Sequence, residues 1–276
     1  MFDFHLLADD ANLFYTNRSL LILETTINIH LEAVNAWLIC NKLSLNIEKS
    51  SFVIFHTYQK KIDYSVSLNI NGKTLKQDFC VKYLGIMIDS NLNWKNHINY
   101  IITKIRRSIG VLSKLRYYVN ANILTQLYYS LIFPFITYGL TNWGNTYIYN
   151  LKPIVTLQKK ALRIMSFSNY NDHTSYLFKQ FNILKFIELV ELYNSLFMYD
   201  YFTDRLPKVF DNFFIKIIEF TTIILGLHQN KLIIFLQLRQ TMVNLGKIWN
   251  SINESDKQLS RKRFKKKFTY DKITKY

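Results

Sequence analysis

At 276 residues, with 49% hydrophobic and 20% charged side chains, the chain is long enough to bury a core and too apolar to stay disordered. Seven Gly and three Pro argue against a Gly-rich all-β fold and favour helices with a few strands. A formal charge of +16 points to a polyanionic partner, nucleic acid before an anionic membrane.

Apolar runs Phe2 to Leu7 and Asn12 to Tyr15 flank Ala8-Asp9-Asp10-Ala11, which reads as a β-hairpin with both acids in its turn. Leu20, Leu23, Ile27, Leu31, Val34 and Leu38 recur at three- and four-residue spacings, an amphipathic helix with Ser19 as its N-cap. Ser51 to Thr57 is β-branched and aromatic, a strand. Tyr64 to Ile70, Asn71-Gly72 and the run from Lys73 form a second hairpin, because Asn and Gly tolerate the positive φ of a type I′ turn. Val81 to Asp89 reads as one further strand.

From Trp94 the period becomes helical. Ile98, Ile101, Ile105, Ile109, Leu112 and Leu115 line one face of a helix, with Lys104, Arg107 and Lys114 on another. Three further helices are expected at Asn122 to Tyr138, Leu151 to Phe167 and Phe186 to Tyr201. Phe213 to Leu238 is very apolar with little punctuation, and the Arg261 to Lys267 run reads as a basic, partly disordered tail. The expected fold is α+β, with mixed residues 1–90, a helical segment 91–148 and a helical, basic region 149–276.

Charge is unevenly placed. Residues 95–120 carry six bases (Lys95, Lys104, Arg106, Arg107, Lys114, Arg116) and no acid, whereas residues 1–56 carry six acids against three bases. Cys40 and Cys80 form no Cys-x-x-Cys pair and read as buried thiols of an intracellular protein. The first ten residues lack the basic segment of a secretory leader, and the longest apolar runs are too short to span a bilayer.

Paired carboxylates on a rigid turn are what two-metal nucleotidyl transfer requires, although an Asp-Asp turn is also common as plain solvated surface. The order of motifs carries more weight than the pair. Leu7-Ala8-Asp9-Asp10 is followed by Leu43-Ser44-Leu45-Asn46-Ile47-Glu48-Lys49-Ser50 and by Tyr83-Leu84-Gly85. Then come Leu92-Asn93-Trp94-Lys95-Asn96-His97-Ile98, Tyr138-Gly139 with Trp143, and Leu157-Gln158-Lys159-Lys160-Ala161-Leu162-Arg163. Gly246-Lys247-Ile248-Trp249-Asn250-Ser251-Ile252 and Phe264-Lys265-Lys266-Lys267 close the series. In this order the set resembles the reverse transcriptases of non-LTR (LINE-type) retrotransposons, from just before the Ala-Asp-Asp motif to the C-terminal region.

The resemblance implies a partial polymerase palm followed by a helical thumb and C-terminal region, synthesising DNA on an RNA template from a DNA primer and dNTPs. Asp9 and Asp10 would ligate Mg²⁺ at the catalytic centre, and Lys49 would protonate the departing pyrophosphate. Tyr83, Leu84 and Gly85 would form the primer grip; their alternative is an ordinary core strand. Lys104, Arg107 and Lys114, with Lys159, Lys160 and Arg163, would follow the phosphates of the template–primer duplex. The family's first palm motif supplies another Asp well upstream of the turn; Asp3 lies too close along the hairpin to replace it. Without that Asp and the fingers, the chain by itself is expected to be inactive. Alternatives are a non-catalytic nucleic-acid-binding remnant and a degenerate open reading frame. A membrane-surface protein would leave the palm-like motifs unexplained.

Overall fold

The computed structural model describes residues 2–7, 10–56, 59, 62–210 and 245–276, with the side chains of 2–7, 10 and 11 left out of the description. The chain divides into two compact units. One is Met1–Val81 with Asp89–Asn91; the other holds Lys82–Ile88 and the chain from Leu92 onward. Helices dominate and the sheets are small two-stranded pairs, so the α+β reading of the sequence is met at that level.

In the first unit β1 (Phe2–Leu7) and β2 (Asp10–Tyr15) pair antiparallel with Leu7 opposite Asp10. The expected hairpin is present, but Asp10 closes the ladder instead of sitting in the turn. Asp9 lies outside the described residues. Helix α1 (Leu20–Cys40) starts where expected, with the Ser19 hydroxyl accepting from the Ile22 N–H at 3.5 Å. Cys40 falls on an outward position at the end of α1 and is exposed; Cys80 is half-buried, so neither is the fully buried thiol expected.

The expected strand Ser51 to Thr57 shrinks to β3 (Ser51–Phe52), which pairs in parallel with β6 (Lys76–Gln77). The Asn71-Gly72 hairpin forms as read, between β4 (Asn69–Ile70) and β5 (Lys73–Thr74), with φ of 51° and 70° at the two turn residues. The stretch before β4 gains no second strand because a helix side chain takes that role. Asn28 of α1 donates to the Ser67 carbonyl at 3.1 Å and accepts from the Asn69 N–H at 2.8 Å. Val66, Leu68 and Ile70 alternate inward against Leu31, and these four make the buried core of the unit among the described residues.

The second unit begins with the turn end, Lys82–Ile88, of the hairpin β7 (Cys80–Tyr83) and β8 (Ile86–Asp89). The single strand expected over Val81 to Asp89 is therefore two strands, turned at Leu84-Gly85. Helix α2 (Lys95–Leu115) buries Ile98, Ile101, Ile105, Ile109 and Leu112 as its spacing requires, while Leu115 is half-exposed. The expected helix Asn122 to Tyr138 is two helices, α3 (Ala121–Leu131) and α4 (Phe133–Thr137). Pro134 lacks an N–H and is tolerated only in a first turn, so it opens a new helix instead of extending the old one.

Next come α5 (Leu140–Trp143), α6 (Ile148–Met165), α7 (Ser175–Gln180) and α8 (Phe186–Phe202). α2 packs along α6, and one continuous core includes the fully buried Trp143, Tyr128, Phe178 and Phe186. The apolar stretch 213–238 lies outside the described residues.

The C-terminal part is a correction to the sequence reading. Residues 245–250 form α9, followed by α10 (Glu254–Lys257) and α11 (Arg261–Ile273). The basic run is a helix docked on α8, not a solvated tail. Phe264 and Ile273 enter the core, Arg261 pairs with Asp200 at 2.7 Å, and Lys272 pairs with Glu191. Apolar residues at i, i+4 and i+9 within a lysine-rich run are what the charge pattern hid. Among the described residues no helix is long and apolar enough to cross a membrane.

Candidate functional site

The expected catalytic residues belong to the first unit. Asp10 stands at the end of β2, one residue beyond Asp9. Lys49 ends the 3₁₀ turn Ile47–Lys49 and is exposed. The surrounding Leu-x-Leu-Asn motif has a local structural account. The Asn46 side chain accepts from the Lys49 N–H at 3.2 Å, and the Ser50 hydroxyl donates to the Asn46 carbonyl at 2.9 Å. Ile47 meanwhile packs on the unit's small core. Asn and Ser are thus the residues that fix the turn, and the Lys49 ammonium is left in solvent.

Mg²⁺ chemistry needs converging carboxylates. Among the described residues no group of three or more His, Cys, Asp or Glu side chains comes together. The described residues therefore do not by themselves make a complete ligand set for two ions.

Tyr83, Leu84 and Gly85 form the end of the β7–β8 hairpin. Leu84 at φ 46° and Gly85 at φ 83° are both left-handed, the conformation of a type I′ turn. This replaces the core-strand alternative. The Leu84 carbonyl accepts from the Tyr138 hydroxyl at 2.6 Å, and a Cβ on Gly85 would stand 3.4 Å from the Tyr138 ring. A residue there must be small and tolerate positive φ, which is a physical reason for the Tyr-Leu-Gly motif. The Tyr138-Gly139 motif supplies the other half of the contact, since Gly139 at φ 60° faces the Ile86 side chain.

The Trp-x-x-His-Ile segment anchors the same hairpin. His97 is 2% exposed, and its Nδ1 accepts from the Met87 N–H of β8 at 3.2 Å. The ring meets Trp143 edge-on at 5.6 Å. Burial pushes the imidazole down to about 4, so it is neutral near pH 7, with the hydrogen bond assigning the proton to Nε2. His97 has no role in the motif-based expectations; its signal in the sequence is its place in the Trp94-x-x-His97-Ile98 segment.

On α2 the expected cations lie away from the buried face. Arg107 and Lys114 are exposed, and neither joins a salt bridge among the described residues. Lys104 is half-buried, with its ammonium 5.4 Å from the centre of the Tyr100 ring; Lys82 of β7 approaches the same ring at 5.8 Å.

The α6 trio divides. Lys159 and Lys160 are exposed, whereas Arg163 is turned inward onto its own chain, donating to the Asp172 carbonyl from Nε at 3.0 Å and Nη2 at 2.8 Å. Arg163 fixes the loop after α6, so this expected nucleic-acid ligand has a structural occupation. Gln158, its companion in the motif, is 1% exposed. It donates to the Tyr128 hydroxyl at 3.0 Å and the Leu184 carbonyl at 2.9 Å, and accepts from the Phe186 N–H at 2.8 Å. One amide thereby ties α6 to α3 and to the start of α8. Burial in turn pushes the Tyr128 hydroxyl above its ordinary range.

Comparison with known proteins finds relatives among mobile-element polymerases. The RNA-directed DNA polymerase from mobile element jockey of Drosophila melanogaster is 27% identical over 162 residues, which is 58% of this chain and 17% of that protein. Its Drosophila funebris counterpart is 27% identical over 164 residues, again 58% and 17%. The probable RNA-directed DNA polymerase from transposon BS of Drosophila melanogaster is 24% identical over 209 residues, 73% of this chain and 22% of that protein. The chain is similar to the RNA-directed DNA polymerases of mobile elements.

The resemblance to non-LTR reverse transcriptases read from the motifs is thereby met. The chain spans about a fifth of the length of these polymerases. No family model matches it, and no solved structure does. Within the second unit, Gly85, His97, Tyr138, Trp143 and Gln158 lock the β7–β8 turn, α2 and α6 into one body. The exposed cations Arg107, Lys114, Lys159 and Lys160 lie on the outside of that body.

Proposed function

We propose that this chain forms the part of a non-LTR RNA-directed DNA polymerase from just before the catalytic turn to the C-terminal region, with the α2–α6 body gripping the template–primer duplex. The observation that carries this is the division of α2. One face is buried to within a few per cent of exposure, and Arg107 and Lys114 stand exposed away from it, on a segment of six bases and no acid. Cations held on a rigid helix and left without carboxylate partners suit a phosphate backbone, and such contacts are sequence-independent and weakened by salt.

In this reading Asp9 and Asp10 contribute to the Mg²⁺ site of the polymerase, Lys49 stands ready as a proton donor, and Tyr83, Leu84 and Gly85 touch the primer. Docking of Leu84 and Gly85 on Tyr138 supports that last role, because it holds the tip of the hairpin in one conformation. RNA template, DNA primer and dNTPs are the partners the relatives' activity calls for. A non-catalytic nucleic-acid-binding remnant shares the α2 grip and differs only in chemistry.

Two assays on the 276-residue chain test the reading. Binding to an RNA–DNA duplex should fall steeply as salt rises. Arg107→Ala with Lys114→Ala should weaken it and flatten the log–log salt dependence by about 1 to 2, at close to one unit per lost phosphate contact. Affinity indifferent to salt and to both substitutions would sink the grip. Primer extension with Mg²⁺ should be absent, since the turn's two carboxylates are short of the set that two-metal chemistry uses. Robust extension abolished by Asp9→Asn would overturn that expectation and favour a complete centre.

A further inference from the structure

At the end of α2 the chain runs Arg116-Tyr117-Tyr118, and the two Tyr rings face outward, 69% and 84% exposed. The Arg116 guanidinium lies 4.8 Å from the centre of the Tyr117 ring and 4.3 Å from that of Phe167, and the two rings meet edge-on at 5.8 Å. Nη2 of Arg116 donates to the Tyr117 hydroxyl at 3.2 Å, and Nη1 reaches the Ile164 carbonyl at 3.5 Å. A planar cation is thus stacked against two rings at the surface.

Phe167 follows α6 and is 53% exposed at φ 57°, a left-handed conformation that is unfavourable for a bulky side chain. It is held there by the loop behind it. The Ser166 and Ser168 hydroxyls lie 2.6 Å apart, and Ser168 reaches the Tyr176 hydroxyl at 3.3 Å. Arg163 clamps the Asp172 carbonyl from the inside. The same loop presents Tyr170 and the start of α7 presents Tyr176, 78% and 53% exposed. The loop's one acid, Asp172, has Oδ2 engaged by the Asn169 N–H at 2.7 Å.

Exposed rings on two chain segments joined by the Tyr117–Phe167 contact mark a contact surface. Here the rings share it with a stacked guanidinium, and exposed Lys114 and Lys160 lie two residues before Arg116 and one turn before Ile164. Tyr and Arg also suit a protein partner, but lysines such as Lys114 and Lys160 are depleted from such interfaces. A duplex offers few open base faces. Unpaired nucleotides offer both a π-face for each ring and a phosphate for each cation.

We propose that the Arg116–Tyr117–Phe167 stack, with Tyr118, Tyr170 and Tyr176, is a platform for the unpaired bases of a single-stranded nucleic acid. The proposal rests on the nucleic-acid reading above and adds a second surface with a different ligand form. Its test is fluorescence anisotropy of the full chain with labelled oligo-uridylate, oligo-deoxythymidylate, an abasic strand of equal charge and a hairpin duplex. Tyr118→Ala and Tyr170→Ala should each weaken binding of the base-bearing strands about tenfold, at the stacking strength typical of an exposed ring. Both should leave the abasic strand and the duplex unaffected, and Tyr118→Phe should restore the lost affinity. The two base-bearing arms tell RNA from DNA.

Equal affinity for base-bearing and abasic strands, with duplex binding intact, overturns the platform and spares the duplex grip. No binding of any strand or duplex at low salt overturns both. Light scattering that rises with protein concentration and is abolished by the two Ala substitutions, with strand affinity unchanged, assigns the rings to self-association and overturns the platform.

Discussion

His97 carries a pH dependence whose sign follows from its place. Its Nδ1 is an acceptor for the Met87 N–H, and Nε2 meets no hydrogen-bond partner among the described residues, so a second proton would be both buried and unpaired. The folded pKa is pushed from 6.5 to about 4, and the unfolded chain therefore binds more protons between those values. The stability conferred by neutral His97 is present above pH 6.5 and is lost as pH falls towards 4, up to roughly 3 kcal/mol at 1.36 kcal/mol per unit. Urea midpoints measured from pH 7 to pH 4 should fall more steeply for the parent chain than for His97→Gln, whose amide can accept from Met87 without titrating. Parallel profiles for the two chains would show that His97 does not govern this window.

At the scale of elements, the β7–β8 turn yields the sharpest expectation. Gly85→Ala places a Cβ in the left-handed region and 3.4 Å from the Tyr138 ring, and should cost about 1 to 2 kcal/mol. Leu84→Asn, at φ 46°, should instead be neutral or stabilise by a few tenths of a kcal/mol, because Asn accepts that conformation more readily. Chemical denaturation of the two variants checks both, and equal destabilisation would mean that packing and not φ decides. This turn also marks where the sequence stopped being legible. Asn71-Gly72 announced its hairpin because both residues are turn formers, whereas Leu84 is not, so β7 and β8 read as one strand. The buried face of α2 was legible from its period, and so was the outward place of Arg107 and Lys114 on it. The inward duty of Arg163 was not, because the carbonyl it holds belongs to a loop whose path depends on tertiary contacts. The docking of α11 was hidden for a similar reason: its seven bases speak of solvent, while three widely spaced apolar residues do the packing.

For the whole molecule, the two units differ in how much apolar surface they bury. The described core of the first is Leu31, Val66, Leu68 and Ile70, whereas the second gathers residues from α2 through α11, including fully buried Trp143, Tyr128, Phe178, Phe186 and Phe264. Hydrophobic stabilisation scales with buried apolar area, so the first unit should open at lower denaturant than the second. Unfolding of the full chain should then be biphasic, a departure from two-state behaviour that two cores of unequal size produce. Core truncations can assign the phases, since each Leu→Ala change costs about 2 to 5 kcal/mol where it is buried. Leu31→Ala should lower only the first transition and Leu112→Ala only the second, read by tryptophan fluorescence together with amide exchange in α1 and α2. A single transition moved equally by both substitutions would mean that the units unfold as one. In the biphasic case, Arg107 and Lys114 ride on the more stable body, and binding to an RNA–DNA duplex should survive denaturant concentrations at which the first unit has already unfolded.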